Sequence, residues 1–272
     1  MTGPVVQIRD LVKTFGGGTS LFNRKASEVQ AVKGISLEMQ RGETLGIVGE
    51  SGSGKSTLAR MLVGLERPSS GSMLIDGKPW SDLASAGPAA FGRTIQYVFQ
   101  DPVASLNPRK TIDQVLDAPL RLLCNYDSRK RAIRKRELVD AVQMPVDTLE
   151  RYPHEFSGGQ AQRIAIARAL AAEASILVLD EPVSALDVSV QAQVLLLLQQ
   201  LRDDLDLSYL FISHDLAVVE SISDRVAVMY LGEVVELGAA AQLFADPQHE
   251  YTRSLIASAP RLSQRKVPYE PS

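Results

Sequence analysis

The sequence predicts an α/β fold, with a parallel sheet buried on both faces and helices as its crossovers. Three observations predict it. Leu45 to Val48, Ile176 to Leu179 and Tyr209 to Ile212 are compact apolar runs, the pattern of strands covered on two sides. Helical periodicity separates them. Leu58, Met61, Leu62 and Leu65 recur at i, i+3, i+4 and i+7, and Val190, Val194, Leu197, Leu198 and Leu201 mark one face of another helix. Strands that alternate with helices imply right-handed crossovers between parallel neighbours.

In chain order, Val5 to Phe15 and Val29 to Met39 alternate apolar with polar residues, as strands do. Gly16 to Ser27 between them is Gly-rich and basic, which predicts a loop or hairpin extension. Leu45 to Val48 runs into a glycine-rich turn and then into the Leu58 helix. Met73 to Ile75 and Ile95 to Phe99 read as further strands. From about Thr111 to Arg151 the pattern is helical, highly charged and free of glycine, as in an inserted helical subdomain. Its charged run, Arg129-Lys130-Arg131 to Arg134-Lys135-Arg136, is most simply a solvated helix face. Gln264 to Ser272 is polar with two prolines and is expected to fray.

Composition narrows the function classes. The chain has 272 residues, 45% hydrophobic and 22% charged, enough for one sizeable core or a core with a lobe. A net charge of −3 gives no basic excess to attract nucleic acid. Cys124 is the only cysteine, so an internal disulfide and a Cys cluster for zinc or iron–sulfur are excluded. The N-terminus lacks the basic start and apolar core of a signal peptide. Apolar runs such as Val194 to Leu198 fall far short of the ~20 residues of a membrane span. The expectation is a soluble intracellular protein whose membrane role, if any, comes through a partner.

Gly49-Glu50-Ser51-Gly52-Ser53-Gly54-Lys55-Ser56-Thr57 fits the pattern G-x-x-x-x-G-K-[ST], between an apolar strand and an amphipathic helix. Its glycines let the backbone curl so that successive N–H groups point at phosphate oxygens. Lys55 supplies a cation for the β and γ phosphates, Ser56 a hydroxyl for Mg²⁺, and the following helix its positive end. This is a P-loop NTPase motif, equally suited to a kinase or a GTPase. Asp180 and Glu181 close the run Ile176-Leu177-Val178-Leu179. An aspartate at the end of such a strand holds Mg²⁺ directly or through water. Glu181 would then stand near the γ phosphate, where a carboxylate orients and deprotonates the attacking water. The plainer reading is a solvated acidic pair opening a loop.

Phe156-Ser157-Gly158-Gly159-Gln160 lies upstream of that strand. With the motifs above, it resembles the signature of the ATP-binding-cassette (ABC) family, usually Leu-Ser-Gly-Gly-Gln, with Phe156 in place of leucine. The resemblance spans nearly the whole chain. It implies a RecA-like P-loop core with an N-terminal antiparallel β subdomain and an inserted α-helical subdomain. The cassette would cover 5–245, the helical insert about 101–160, and a family tail 246–272. It further implies that Gln100 is the Q-loop glutamine, sensing Mg²⁺ and the permease. Asp187 in Ser184-Ala185-Leu186-Asp187 corresponds to the D-loop and His214 to the switch histidine. Phe15 stands where an aromatic residue stacks on adenine, with Phe22 as the alternative. A Ser-Gly-Gly turn opening a helix is itself an anion site. In this family Ser157, Gly158, Gly159 and Gln160 of one chain meet the ATP held by the glycine loop of another, in a head-to-tail dimer.

Longer stretches resemble the oligopeptide, dipeptide and nickel importer branch: Phe99-Gln100-Asp101-Pro102, Ala104-Ser105-Leu106-Asn107-Pro108-Arg109, Arg151 to Gln160, Glu181 to Asp187 and Asp246 to Arg253. The branch implies ATP and Mg²⁺ as cofactors, a second cassette subunit, two transmembrane permeases and an extracytoplasmic solute-binding protein. The chain would sit on the cytoplasmic face of the inner membrane, held by the permeases, and bind no nucleic acid. Asn107 to Arg109 are expected to line the permease dock. The cargo stays open among peptides, nickel, metal chelates, opines and glycosides. A soluble non-transport cassette ATPase and an exporter cassette are the alternatives.

Overall fold

The computed structural model describes residues 3–16 and 28–258. Phe22, most of the Gly16 to Ser27 segment and Gln264 to Ser272 lie outside them. The strands are β1 (Val6–Phe15), β2 (Val29–Met39), β3 (Thr44–Val48), β4 (Ser70–Ile75), β5 (Lys78–Pro79), β6 (Ile95–Val98), β7 (Ile176–Asp180), β8 (Ser208–Ile212), β9 (Arg225–Tyr230) and β10 (Glu233–Ala239). The helices are α1 (Lys55–Leu62), α2 (Trp80–Ala86), α3 (Pro88–Thr94), α4 (Ile112–Leu122), α5 (Ser128–Ala141), α6 (Gly158–Leu170), α7 (Val188–Leu205), α8 (Leu216–Ile222), α9 (Ala240–Ala245) and α10 (Glu250–Ser258).

They build two sheets. One is antiparallel, in the order β2-β1-β4-β5; the other runs β10-β9-β3-β8-β7-β6 and is parallel except for the β9–β10 hairpin. Strands β3, β7 and β8 are buried at every residue, as their apolar runs predict. Successive side chains of β7 divide between two cores. Ile176 and Val178 join β1, β2 and α1, while Leu177 and Leu179 join helices α4 to α9. At roughly 1.5–3 kcal/mol for each large apolar side chain fully buried, this two-sided sheet is the rigid base of the molecule.

The antiparallel sheet and the α/β core agree with the expected fold class. Three local differences have physical causes. Helix α1 ends at Leu62 because Gly64 turns the chain into the left-handed region at φ 76°, so Leu65 falls outside the helix and is 59% exposed. The hairpin β9–β10 has no counterpart in the sequence reading. The charged run on α5 is only half solvated. Lys135 is buried, with Nζ 2.5 Å from Asp113 and 3.6 Å from Asp117, and Arg131 lies 2.8 Å from Asp117. Arg134 reaches Glu137 and Glu173. These cations tie α5 to α4 and to the end of α6, while Arg129 and Arg136 face water.

Replacing Lys135 therefore differs from replacing its exposed neighbour. Lys135→Ala should destabilise by more than ~1 kcal/mol, between the values for exposed and for broken buried ion pairs. Arg129→Ala should stay within ~0.5 kcal/mol of the parent. Urea unfolding of both variants checks the ranking; equal effects would contradict it.

Candidate functional site

Four parallel strands end on one edge, and each delivers part of the site. In spatial order, β3 leads to Gly49, β8 to Ser213 and His214, β7 to Asp180 and Glu181, and β6 to Phe99 and Gln100. Ligand sites of open α/β sheets lie at this carboxyl edge.

The loop Gly49 to Gly54 is shaped by backbone that approaches it closely. Gly49 has φ 148°, and a Cβ there would stand 2.1 Å from the Met229 carbonyl. Gly54 has φ 104°, and a Cβ there would stand 2.3 Å from the Ala31 carbonyl. Neither position admits a side chain. The amide of Gly232 donates to Ser53 O at 3.1 Å, so the β9–β10 turn supports the loop from below. Lys55 folds back across it: Nζ donates to Gly49 O and Glu50 O, both at 2.7 Å. Burial lowers the Lys55 pKa, against the opposing pull of Glu181, Asp180 and Glu50. An arriving polyphosphate would meet a cation already desolvated and the free amides at the start of α1.

Beside Lys55, Ser56 Oγ donates to Asp180 Oδ1 at 3.3 Å and Tyr97 Oη to Asp180 Oδ2 at 2.5 Å. Burial, then the bond to Asp180, drives the Tyr97 pKa upward, so the phenol keeps its proton and serves only as donor toward that carboxylate. The donors are hard oxygens, which suits Mg²⁺ rather than a soft metal. Among the described residues no group of three or more His, Cys, Asp or Glu side chains could hold a metal; Mg²⁺ commonly keeps several waters beside one or two carboxylates and phosphate oxygens.

Glu181 gathers the other candidates. Gln100 Nε2 donates to Oε2 at 2.9 Å, and His214 Nδ1 lies 3.1 Å from Oε1. Its backbone is left-handed at φ 50°, with N–H bonded to Ile212 O at 2.8 Å and C=O accepting from Ser184 Oγ at 3.1 Å. Uncommon backbone held in place this way concentrates at functional sites.

Ser157 caps α6: its hydroxyl accepts from the Gln160 amide, and Gln160 returns a bond to the Ser157 amide. Ser157, Gly158 and Gln160 are exposed. No hydrogen bond among the described residues joins this turn to the Gly49 loop. Asp187 caps α7, accepting from Val190 N at 3.0 Å and Ser189 Oγ at 2.7 Å, and these bonds hold its carboxyl below the usual range. Phe15 ends β1, partly exposed, with Lys13 Nζ 4.7 Å from its ring centre. Its partner Val29 lies two residues before Ala31, which touches Gly54.

Next to Gln100 a groove of about 580 Å³ is lined by Leu65, Trp80, Phe91, Tyr97, Phe99 and Arg168 among others. Asn107, Pro108 and Arg109 line a separate hollow formed by their own loop. Arg168 joins the two regions through its bond to Ser105 O. Two residues near the catalytic edge escaped the sequence reading. Tyr97 lay inside a predicted strand with nothing to indicate its hydroxyl partner. Tyr251 lay in the predicted tail motif, yet its hydroxyl accepts from the Glu50 amide at 3.1 Å.

Comparison with known proteins agrees with this architecture. The family described as ABC transporter matches residues 32–184. The oligopeptide transport ATP-binding protein AppF of Bacillus subtilis is 47% identical over 262 residues, 96% of this chain and 80% of AppF. The dipeptide transport ATP-binding protein DppF of Haemophilus influenzae is 47% identical over 260 residues, 96% of this chain and 79% of DppF. Among solved structures, the dimeric post-hydrolysis state of the ATP-binding cassette MJ0796 bound to ADP and Pi superposes with a TM-score of 0.75 at 28% identity, covering 86% of this chain and 98% of that one.

The exposed turn at Ser157 depends on close packing behind it. A Cβ on Gly159 would stand 2.3 Å from Val190 Cγ1. Gly159→Ala should therefore cost about 1–3 kcal/mol, and adding Val190→Ala should return part of it. Thermal melting of the single and double variants checks this; a double variant with no recovery would contradict it.

Proposed function

The chain belongs to the ABC transporter family and is an ATPase cassette; from that premise we propose that it energises solute import across a membrane. The proposed cargo class is peptides or a related small solute such as nickel or a metal chelate. The similarity to AppF, an oligopeptide transport ATP-binding protein, and DppF, a dipeptide transport ATP-binding protein, supports this. No described helix is long and apolar enough to cross a membrane; in the proposed arrangement the translocation path belongs to other subunits. We assign two permeases to that path and place the chain against them, at the cytoplasmic face. A solute-binding protein on the far side would present the cargo. The apolar groove beside Gln100 is the better candidate for the permease contact than the hollow at Asn107 to Arg109, because Phe99 and Tyr97 on its wall lead directly to the site. We read 5–245 as the cassette, with about 101–160 as its helical insert and 246–272 as a family tail.

The observation that carries the mechanism is the Glu181 carboxylate held between Gln100 and His214. Amides of the Gly49 to Thr57 loop and Lys55 would bind the phosphates, and Phe15 would stack on the base. Ser56, Asp180 and Gln100 would hold Mg²⁺, which when bound neutralises charge on the β and γ phosphates. Glu181 orients a water and takes its proton; His214 and Gln100 fix the direction of that carboxylate. A lone chain leaves Ser157, Gly158 and Gln160 exposed and apart from its own loop. In the proposed head-to-tail dimer that turn covers the partner's ATP, and Asp187 borders the same contact. ATP then holds two subunits together and hydrolysis releases them, the differential affinity a conformational cycle needs.

Two variants test this assignment. Glu181→Gln should retain ATP binding, reduce phosphate release at least ~10²-fold and accumulate a dimer in sedimentation with ATP. Turnover close to wild type would remove Glu181 as the base. Tyr97→Phe should raise the Mg²⁺ concentration needed for half-maximal binding of a fluorescent ATP analogue about tenfold, as loss of a bond to a metal-ligating carboxylate does. Its binding in EDTA should stay unchanged. An unshifted Mg²⁺ dependence would contradict the role of Asp180.

A further inference from the structure

The segment Asp246 to Arg253 has no task in the mechanism above, yet it is built with care and ends against the phosphate loop. Glu236 on β10 accepts the amides of Gln248 at 2.8 Å and His249 at 3.0 Å through its two oxygens. His249 Nδ1 in turn accepts the Tyr251 amide at 3.1 Å. Amides that open α10 are thus satisfied by side chains, which fixes the direction in which the helix leaves. Leu255 and Ile256 pack their sides on the larger core. The ring of Tyr251 lies on Tyr230, centroids 4.1 Å apart. Its hydroxyl oxygen accepts the Glu50 amide at 3.1 Å.

Tyr230 is not an arbitrary platform. It follows Met229, whose carbonyl forbids a side chain at Gly49, and it precedes the turn whose Gly232 amide holds Ser53. The first half of the phosphate loop is therefore gripped at three points: Met229 O against Gly49, Tyr251 Oη on Glu50 and Gly232 N on Ser53. Two of these come from β9 and its turn. The third comes from the far end of the chain.

The geometry points to α10 as a brace for the phosphate loop, with Tyr251 as a positioning residue for ATP. This rests on the reading of the loop as the ATP site. Tyr251 touches no reacting atom. It restricts Glu50, and so reduces the loss of backbone freedom when the loop closes on phosphate. The link also runs the other way, since a ligand that orders the loop favours the docked tail.

The test uses the full chain and ATP. Tyr251→Phe keeps the ring on Tyr230 and removes only the acceptor. It should weaken ATP binding, and raise KM, about three- to tenfold, the range of one net hydrogen bond, with kcat unchanged. Hydrogen exchange at the Glu50 amide should quicken by a similar factor, with no change in melting temperature beyond ~2 °C. Glu236→Ala, which frees the start of α10, should act in the same direction. Ser254→Ala, on the exposed side of the same helix, should leave both readings alone. Wild-type ATP affinity in Tyr251→Phe would overturn the brace, as would a fall in kcat at constant KM. If the parent chain bound no ATP, the ATP-site reading would fail by itself, and Glu50 exchange would still decide whether Tyr251 holds the loop.

Discussion

One carboxylate ties together the proposed catalytic edge of this molecule. Glu181 receives Gln100 from the end of β6 and His214 from the end of β8, while its own position follows β7. Three segments far apart in sequence meet at one side chain because three parallel strands lie side by side. The left-handed backbone at Glu181 costs on the order of 1–2 kcal/mol. Hydrogen bonds from its amide to Ile212 O and from Ser184 to its carbonyl offset that cost. Extended backbone there would carry the carboxylate away from both partners.

The phosphate loop obeys a different constraint. It must present amides, so it can carry no side chain where Met229 O and Ala31 O approach it. Those carbonyls belong to different sheets. The antiparallel sheet meets the loop through β2 and the parallel sheet through β9, and the loop is the seam where the two layers meet. Lys55 completes this arrangement by bonding the loop's own carbonyls. Burial makes its charge costly, and the three acids around it offset part of that cost.

The elements with a strong local signal were legible in the sequence. Fully apolar runs gave β3, β7 and β8 at their observed places, and glycine spacing located the loop. Motif order and spacing single out Gln100, Asp180, Glu181 and His214, and two of these, Gln100 and His214, converge on Glu181. The rest depended on information that local pattern does not hold. Leu65 fits a helical face, but Gly64 ends the helix first. The α5 cations look solvated until Asp113 and Asp117 of α4 come beside them. The hairpin β9–β10 lacks a strong alternation on β10, most of which is half exposed. Tyr97 and Tyr251 are ordinary aromatic residues in the sequence; only folding brings their hydroxyls to Asp180 and Glu50.

The proposed coupling between ATP and a membrane partner would have a physical route here. Tyr97 and Phe99 form part of the groove wall, their rings 4.6 Å apart. The hydroxyl of one reaches Asp180, and the residue after the other reaches Glu181. Whatever fills the groove therefore lies one side chain from the proposed hydrolytic site. The most direct measurement is ATP hydrolysis by the chain purified with its native partners in mild detergent. The account predicts that two multi-spanning subunits accompany it and that the complex releases phosphate from ATP with no acceptor present. A chain that brings no membrane protein, or that turns over ATP only when an acceptor is supplied, would contradict it.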